Sequence, residues 1–290
     1  MTQSEFDSLT PGRPFSRRDF VRTSVGSGFA AAVLPVGAQA IRTESAGLTV
    51  GEVDISVQGL QMPAYRAMPQ GKRDLPVVLV LSEIFGVHEY IADVARRFAH
   101  RGFLAIAPEL FVRQGDPQSY GEIGKLIAEV TSKVPDAQVM ADLDATAAWA
   151  RSNGGHPSKL AVTGFCWGGR ITWLYCAHNP AVKAGVAWYG RLVGDASALT
   201  PRHPLDLSAD LRAPVLGLYG GQDAGIPIPT VEKMKFALAA GSAAARRSEF
   251  VVYPDAPHAF HADYRPSFRQ DAAEDAWKRC MAWMKANDTA

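Results

Sequence analysis

The sequence predicts an α/β domain built on a doubly wound, mostly parallel sheet with helices on both faces. Short runs such as Pro76–Leu81 are apolar throughout, which is typical of parallel strands buried on both sides. These runs alternate with longer stretches of helical periodicity, such as residues 136–152. Alternating β and α elements favour a parallel sheet, and the active site of such a sheet lies at the carboxyl ends of its strands.

The predicted elements run from residue 53 to residue 286. Strands 53–57 and 62–68 form a hairpin around Gly59, since apolar and polar residues alternate in the first of them. Further strands are predicted at 76–81, 103–107, 160–163, 184–188, 215–219 and 249–253. Helices are predicted at 87–101, 120–132, 136–152, 230–240 and 266–286, and a connecting loop at 239–245.

Residues 1–40 have the features of a twin-arginine export signal. Ser16–Val21 contains the paired arginines, residues 25–36 are weakly apolar, and Ala38-Gln39-Ala40 is a cleavage site. We therefore expect the twin-arginine machinery as a partner, cleavage after Ala40, and a single domain over residues 41–290 in the periplasm or outside the cell. The apolar stretch is shorter than the roughly 20 residues of a spanning helix, so no stable membrane span should remain after cleavage. Retention of the signal as an anchor is the alternative.

The predicted mature chain is electrically balanced. The first forty residues contain four of the 30 basic and three of the 29 acidic side chains, which leaves 26 of each in residues 41–290. This balance argues against nucleic acid as a partner. No cluster has recognised metal-ligand spacing, and there is no dinucleotide fingerprint or phosphate loop, so neither metal nor cofactor is expected.

The most informative motif is Gly164-Phe165-Cys166-Trp167-Gly168-Gly169, which joins an apolar run to a helix-compatible run. This is the pattern of a nucleophile elbow with cysteine in place of serine. A thiol at a helix N-terminus ionises more easily, and the thiolate is the attacking species. The alternative is a buried structural cysteine in an ordinary turn. Cys176 and Cys280 are expected to be packing residues, since each lies within a predicted helix.

Two later loops carry the groups that a thiol nucleophile needs. Asp223 follows the strand at 215–219 and His258 follows the strand at 249–253. The order nucleophile, acid, histidine predicts that His258 is the base and that Asp223 orients it. His261 and Asp255 are the rival candidates. The other histidines fit less well, among them His88 and His100, which are predicted to lie on a surface helix.

A second cluster follows the strand at 76–81. Glu83 is a carboxylate at the carboxyl end of that strand and is either functional or a salt-bridged structural group. The backbone N–H groups of Ile84 and Trp167 could form an oxyanion hole. Arg113 could pair with Glu83 or with a substrate carboxylate, or be a solvated loop residue.

These motifs resemble the dienelactone hydrolases (carboxymethylenebutenolidases) over about residues 50–285. The resemblance is carried by Glu83–Gly86, Arg113-Gln114, Gly164–Gly169, Gly220–Asp223 and His258–Phe260. It implies an α/β-hydrolase fold, a Cys166–His258–Asp223 triad, and a Glu83 that contacts the resting thiol. It also implies that Arg113 binds a substrate carboxylate and engages the glutamate. The second substrate-binding arginine of the family lies four residues after the histidine, where this chain has Ala262, followed by Asp263 and Arg265.

The sequence thus predicts a hydrolase of a small ester or lactone that works through a thioester acyl-enzyme. The alternatives are a broad-specificity carboxylesterase and a non-catalytic periplasmic binding protein on a hydrolase fold.

Overall fold

The computed structural model describes residues 40–290, and the predicted export signal lies outside them except for Ala40. An eight-stranded sheet runs through the described chain in the order β1-β2-β4-β3-β5-β6-β7-β8. Strand β2 is antiparallel to both of its neighbours, whereas every pair from β4 across to β8 is parallel. The predicted doubly wound, mostly parallel sheet is therefore confirmed.

Every predicted strand is present, and β4 lies one residue further along the chain than predicted. Their bounds are β1 Leu48–Val57, β2 Leu60–Pro69, β3 Leu75–Leu81, β4 Leu104–Pro108, β5 Gly155–Phe165, β6 Val182–Trp188, β7 Val215–Gly220 and β8 Glu249–Tyr253. Strands β3 and β4 have no exposed residue, in agreement with their continuous apolar sequence.

Seven α-helices connect or cover the strands within residues 40–290. Their bounds are α1 Glu89–His100, α2 Ile123–Glu129, α3 Asp136–Ser152, α4 Trp167–His178, α5 Ile228–Ala239, α6 Ala243–Arg246 and α7 Gln270–Ala286. In this part of the chain, each helix is too short or too polar to traverse a lipid bilayer.

Strand β6 shows how the helices divide between the two faces of the sheet. Gly185 faces α4, because a Cβ there would lie 2.5 Å from the sulfur of Cys176. Trp188 contacts the ring of His261, which stacks on Trp277 of α7. Successive side chains of a strand point to opposite faces, so α4 and α7 cover different sides. Helix α3 joins α4 on its side, where Asp144 accepts a hydrogen bond from Tyr175.

The largest departures from the predicted elements are at helix ends. The predicted helix 120–132 is reduced to α2 because the helical backbone breaks at Val130, and a 3₁₀ turn covers Thr131–Lys133. The predicted helix 266–286 begins only at Gln270, after an extended Arg269. Residues 243–246 are helical rather than loop, since the Ser242 side chain accepts a bond from the Ala245 N–H and caps them.

Candidate active site

The elbow between β5 and α4 places Cys166 in a sharply turned backbone conformation. Its φ and ψ are 54° and −111°, a region that L-residues seldom occupy. Two main-chain bonds hold this turn: the Cys166 N–H donates to the Trp188 carbonyl at 3.0 Å, and the Gly168 N–H donates to the Ser82 carbonyl at 3.1 Å. The elbow is thus tied to β6 on one side and to the end of β3 on the other.

The glycines of the elbow are required by close approach of the backbone. A Cβ at Gly164 would lie 2.2 Å from the Gly168 carbonyl oxygen. A Cβ at Gly168 would lie 2.5 Å from the Leu81 carbonyl oxygen. Neither space admits a carbon atom, so any side chain at these positions would displace the elbow.

His258 and Asp223 meet at the carboxyl ends of β7 and β8. Asp223 is 4 % exposed, and its Oδ1 accepts bonds from the N–H groups of Gly225 and Ile226. These bonds orient the carboxylate so that Oδ2 lies 2.6 Å from Nδ1 of His258. The aspartate therefore acts both as a turn residue and as the partner of the imidazole.

Cys166 is also an electrostatic partner of His258. Burial lowers the pKa of His258, but interactions with Cys166 and with Asp223 raise it by more, to about 10. Cys166 is partly exposed, whereas Cys176 and Cys280 are buried, and burial raises the pKa of both of these thiols. Of the three cysteines, Cys166 is thus the one that combines access to solvent with a basic partner.

The two predicted oxyanion-hole amides flank the elbow. Trp167 is the first residue of α4, where N–H groups have no acceptor within the helix. Ile84 follows β3, at the same edge of the sheet.

Glu83 is buried and receives donors on one oxygen. Its Oε2 accepts from the Tyr264 hydroxyl at 2.9 Å and lies 3.3 Å from Nε2 of His88 and 3.4 Å from Nη2 of Arg265. Burial raises the pKa of Glu83, but Arg265, His88 and Tyr264 lower it by more, to about 2. The carboxylate is therefore ionised at neutral pH, while its buried Oε1 has no hydrogen-bond partner among residues 40–290.

Arg113 does not meet Glu83 in this structure. Its guanidinium forms two parallel bonds to the carboxylate of Asp142 on α3, at 2.6 and 2.9 Å. Arg265 takes the place beside Glu83 that the resemblance assigns to Arg113. The pairing could not be read from the sequence, because it joins two segments 182 residues apart.

The surface position predicted for His88 is wrong. The helix was predicted to start at residue 87, but α1 begins at Glu89 and His88 caps it in an extended conformation. This conformation brings the imidazole to Glu83, and Tyr264 packs edge-on against it. The nearness of His88 to Glu83 in the sequence was the available signal, whereas nothing in the sequence marks Tyr264.

His261 and Asp255, the rivals of His258 and Asp223, have other surroundings. His261 is 3 % exposed, its Nδ1 lies 2.6 Å from the Tyr90 hydroxyl, and burial lowers its pKa well below the usual range. It is thus a core histidine. Asp255 is exposed at the end of β8, while Asp223 holds the imidazole.

Comparisons with known proteins agree on one family. The family model described as "Dienelactone hydrolase family" matches residues 62–287. A Methylorubrum extorquens protein named "Putative carboxymethylenebutenolidase" is 57% identical over 284 residues, which cover 97% of both chains. An Escherichia coli K12 protein with the same name is 54% identical over 264 residues, which cover 91% of this chain and 96% of the relative.

Solved structures show the same relationship. A crystal structure described as a "Putative Dienelactone Hydrolase" from Klebsiella pneumoniae superposes with a TM-score of 0.80 at 57% identity, covering 82% of this chain and 98% of its own. A metagenomic dienelactone hydrolase-like promiscuous phosphotriesterase shares the fold, with a TM-score of 0.67 at 20% identity. The chain therefore belongs to the dienelactone hydrolase family, has the α/β-hydrolase fold, and is a hydrolase that acts on carboxylic esters.

Proposed function

We propose that the protein cleaves a small ester or lactone with Cys166 as the nucleophile, His258 as the base and Asp223 as the group that orients His258. The observation that carries this proposal is the 2.6 Å contact between His258 Nδ1 and Asp223 Oδ2, formed next to a cysteine in an elbow. With Nδ1 occupied by the carboxylate, Nε2 is the ring nitrogen available to the thiol. The raised pKa of His258 supports a resting imidazolium–thiolate pair.

The proposed reaction has two halves. The Cys166 thiolate attacks the carbonyl carbon, and the resulting oxyanion accepts bonds from the N–H groups of Ile84 and Trp167. The C–O bond then breaks, the leaving oxygen takes the proton from His258, and a thioester remains on Cys166. In the second half, His258 removes a proton from water, the hydroxide attacks the thioester, and the acid leaves as the thiolate and imidazolium are restored.

Glu83 has a supporting part in this proposal. Three donors anchor its Oε2, while its buried Oε1 has no hydrogen-bond partner among residues 40–290 and accepts a hydrogen bond, not the proton itself, from the fraction of Cys166 that is a neutral thiol. Burial of Tyr189 raises its pKa, and Glu83 and Cys166 both add to that rise, which supports placing the two groups around one tyrosine. Arg265 and His88 then act as positioning residues, because they hold the carboxylate rather than the substrate.

The test of the nucleophile is Cys166→Ala, with Cys176→Ala as the matched control at a buried thiol. We expect Cys166→Ala to lower kcat for a chromogenic acyl ester by at least about 10³-fold, while the control retains activity. Mass spectrometry of an enzyme quenched during turnover should find the acyl group on the peptide that contains Cys166. Full activity of Cys166→Ala would overturn the proposal.

We also propose that residues 1–40 direct export through the twin-arginine pathway, with cleavage after Ala40. Support comes from the paired arginines, the apolar stretch and the Ala-Gln-Ala site in their usual order. Replacing Arg17 and Arg18 by lysine should leave the protein in the cytoplasmic fraction of a bacterial host. Release into the periplasm despite these changes would refute the proposal.

A further inference from the structure

We propose that Tyr189, the residue that follows β6, is a positioning residue whose ring holds the imidazole of His258 in place beside Cys166. This role depends on the proposed function of Cys166 and His258. Tyr189 lies outside every motif that pointed to the site in the sequence. Its backbone conformation, its ring contacts and the main-chain contacts of its neighbours support the role.

The backbone of Tyr189 has an uncommon conformation. Its φ is 39°, in the left-handed region that a bulky aromatic residue rarely adopts. Six non-glycine residues between 40 and 290 have a positive φ, and three of them are Cys166, Tyr189 and Ala259, the neighbour of His258. Such conformations persist only where the surrounding structure enforces them, and they cluster at active sites. The placement of the Tyr189 side chain is therefore enforced at the same place as that of the nucleophile and the base.

The ring of Tyr189 packs against the catalytic histidine. The ring centroids of Tyr189 and His258 are 5.1 Å apart, and the two planes meet at 64°. Phe260 supports the tyrosine with a second edge-on contact at 5.5 Å, and Tyr189 itself is 0 % exposed. The bond from Nδ1 to Asp223 fixes one end of the imidazole but leaves it free to swing about that contact. A tightly packed ring on one side limits this swing.

The residues on either side of Tyr189 contact the elbow. The Trp188 carbonyl accepts the bond from the Cys166 N–H, and the Tyr189 N–H donates to a carbonyl of β7 at 2.8 Å. A Cβ at Gly190 would lie 2.3 Å from the carbonyl carbon of Gly169, so Gly190 lies directly against the first turn of α4. Three consecutive residues thus contact the backbone of the nucleophile, the neighbouring strand and the elbow helix. The sulfur and the imidazole are located relative to the same short segment.

The hydroxyl of Tyr189 is not what holds the ring. It is buried and has no hydrogen-bond partner among residues 40–290, and a buried hydroxyl without a partner costs stability. Burial also raises the pKa of Tyr189 well above its usual range, so the side chain stays neutral and adds no charge to the thiolate–imidazolium pair. Phenylalanine should therefore replace tyrosine here, whereas a side chain without a ring should not.

The first test compares Tyr189→Phe with Tyr189→Leu in the full-length protein. We expect the phenylalanine variant to keep kcat for a chromogenic acyl ester within about threefold, and the leucine variant to lose at least about 30-fold, because small displacements of a catalytic group are costly. Tyr175→Leu is the matched control, since Tyr175 is also fully buried and stacks on a histidine, His178, at 6.0 Å. The control should lose stability but keep its kcat. If circular dichroism shows that Tyr189→Leu does not fold, Tyr189→Met replaces it with the same expectations.

The second test measures the pH dependence of Cys166 alkylation by iodoacetamide, followed by peptide mass spectrometry. In Tyr189→Leu, the apparent pKa of the Cys166 thiol should rise by about one unit or more, because the thiolate loses a well-placed imidazolium. It should stay unchanged in Tyr189→Phe and Tyr175→Leu. An equal loss of kcat in the two Tyr189 variants would overturn the proposal, and so would an unchanged thiol pKa in Tyr189→Leu.

The alkylation measurement does not depend on turnover, so it separates this proposal from that of the nucleophile. If Cys166→Ala stays active while Tyr189→Leu shifts the thiol pKa, the nucleophile is wrongly assigned and the positioning role stands. If Cys166→Ala is inactive while Tyr189→Leu changes neither kcat nor the thiol pKa, only the positioning role is wrong.

Discussion

Replacing Glu83 by glutamine measures how much the negative charge of this buried side chain contributes to the free energy of unfolding. Glutamine keeps the size of the side chain and removes its charge, so Arg265 is left buried without its anion. The pKa of Glu83 is about 2 in the folded protein against 4.5 for the free side chain. A lowered folded-state pKa means that ionised Glu83 stabilises the fold above pH 4.5, and that this contribution is lost as the pH falls towards 2.

The magnitude follows from the two pKa values. Each pKa unit corresponds to about 1.36 kcal/mol, so the ionised carboxylate contributes about 3 kcal/mol at pH 7. The same relation leaves about half of that at pH 3, because part of the carboxyl is protonated there. We therefore expect Glu83→Gln to lower the free energy of unfolding by about 3 kcal/mol at pH 7 and by about half that at pH 3.

Urea titrations of the wild type and the variant, followed by tryptophan fluorescence from pH 3 to pH 7, measure this difference directly. Glu122→Gln is the matched control, since Glu122 is 69% exposed and pairs with Lys125 at the surface. Such pairs contribute between 0 and about 1 kcal/mol. A Glu83→Gln difference that does not vary with pH would refute the assignment of an ionised, charge-stabilised Glu83.

Three further outcomes can be checked. Asp223→Asn should lower kcat by about 10⁴-fold without unfolding the protein, because the amide would favour the wrong tautomer of His258; steady-state kinetics and circular dichroism together measure this. Gly168→Ala should destabilise the fold by about 3 kcal/mol, seen as a lowered Tm, because the added Cβ would meet the main-chain carbonyls of Leu81 and Ser82. A limiting amount of a maleimide should label Cys166 and spare the two buried cysteines, and equal labelling of all three, seen by peptide mapping, would contradict their burial.

Most of the sheet could be predicted because its signals are local. A parallel strand buried on both faces is apolar along its whole length, so β3 and β4 are visible in the sequence. The helix ends were harder, since α7 starts at Gln270 only because the chain before it is extended at Arg269. That extension is set by tertiary contacts, including the Arg269 N–H bond to the Phe260 carbonyl.

The candidate site also has one part that the sequence predicts and another that it does not. Cys166, Asp223 and His258 each follow a strand at the same edge of the sheet, so the topology alone predicts that they converge. The partner of Glu83 depends instead on how the chain winds after His258, and that winding brings Arg265 rather than Arg113 to the carboxylate. The Glu83–Arg265 pair spans 182 residues and the Arg113–Asp142 pair spans 29, and single-sequence patterns encode neither pairing.

The two main-chain bonds of the elbow have a consequence for redesign. Because the Cys166 and Gly168 amides donate to main-chain carbonyl groups, the backbone that carries the sulfur is held without help from side chains. A mutant library that varies the side chains of Ile84 and Trp167 should therefore change which substrates the enzyme accepts while the elbow backbone stays in place. Because the same bonds give loop mutations little power to move the nucleophile, new substrate preferences on this scaffold should come from side chains beside the elbow.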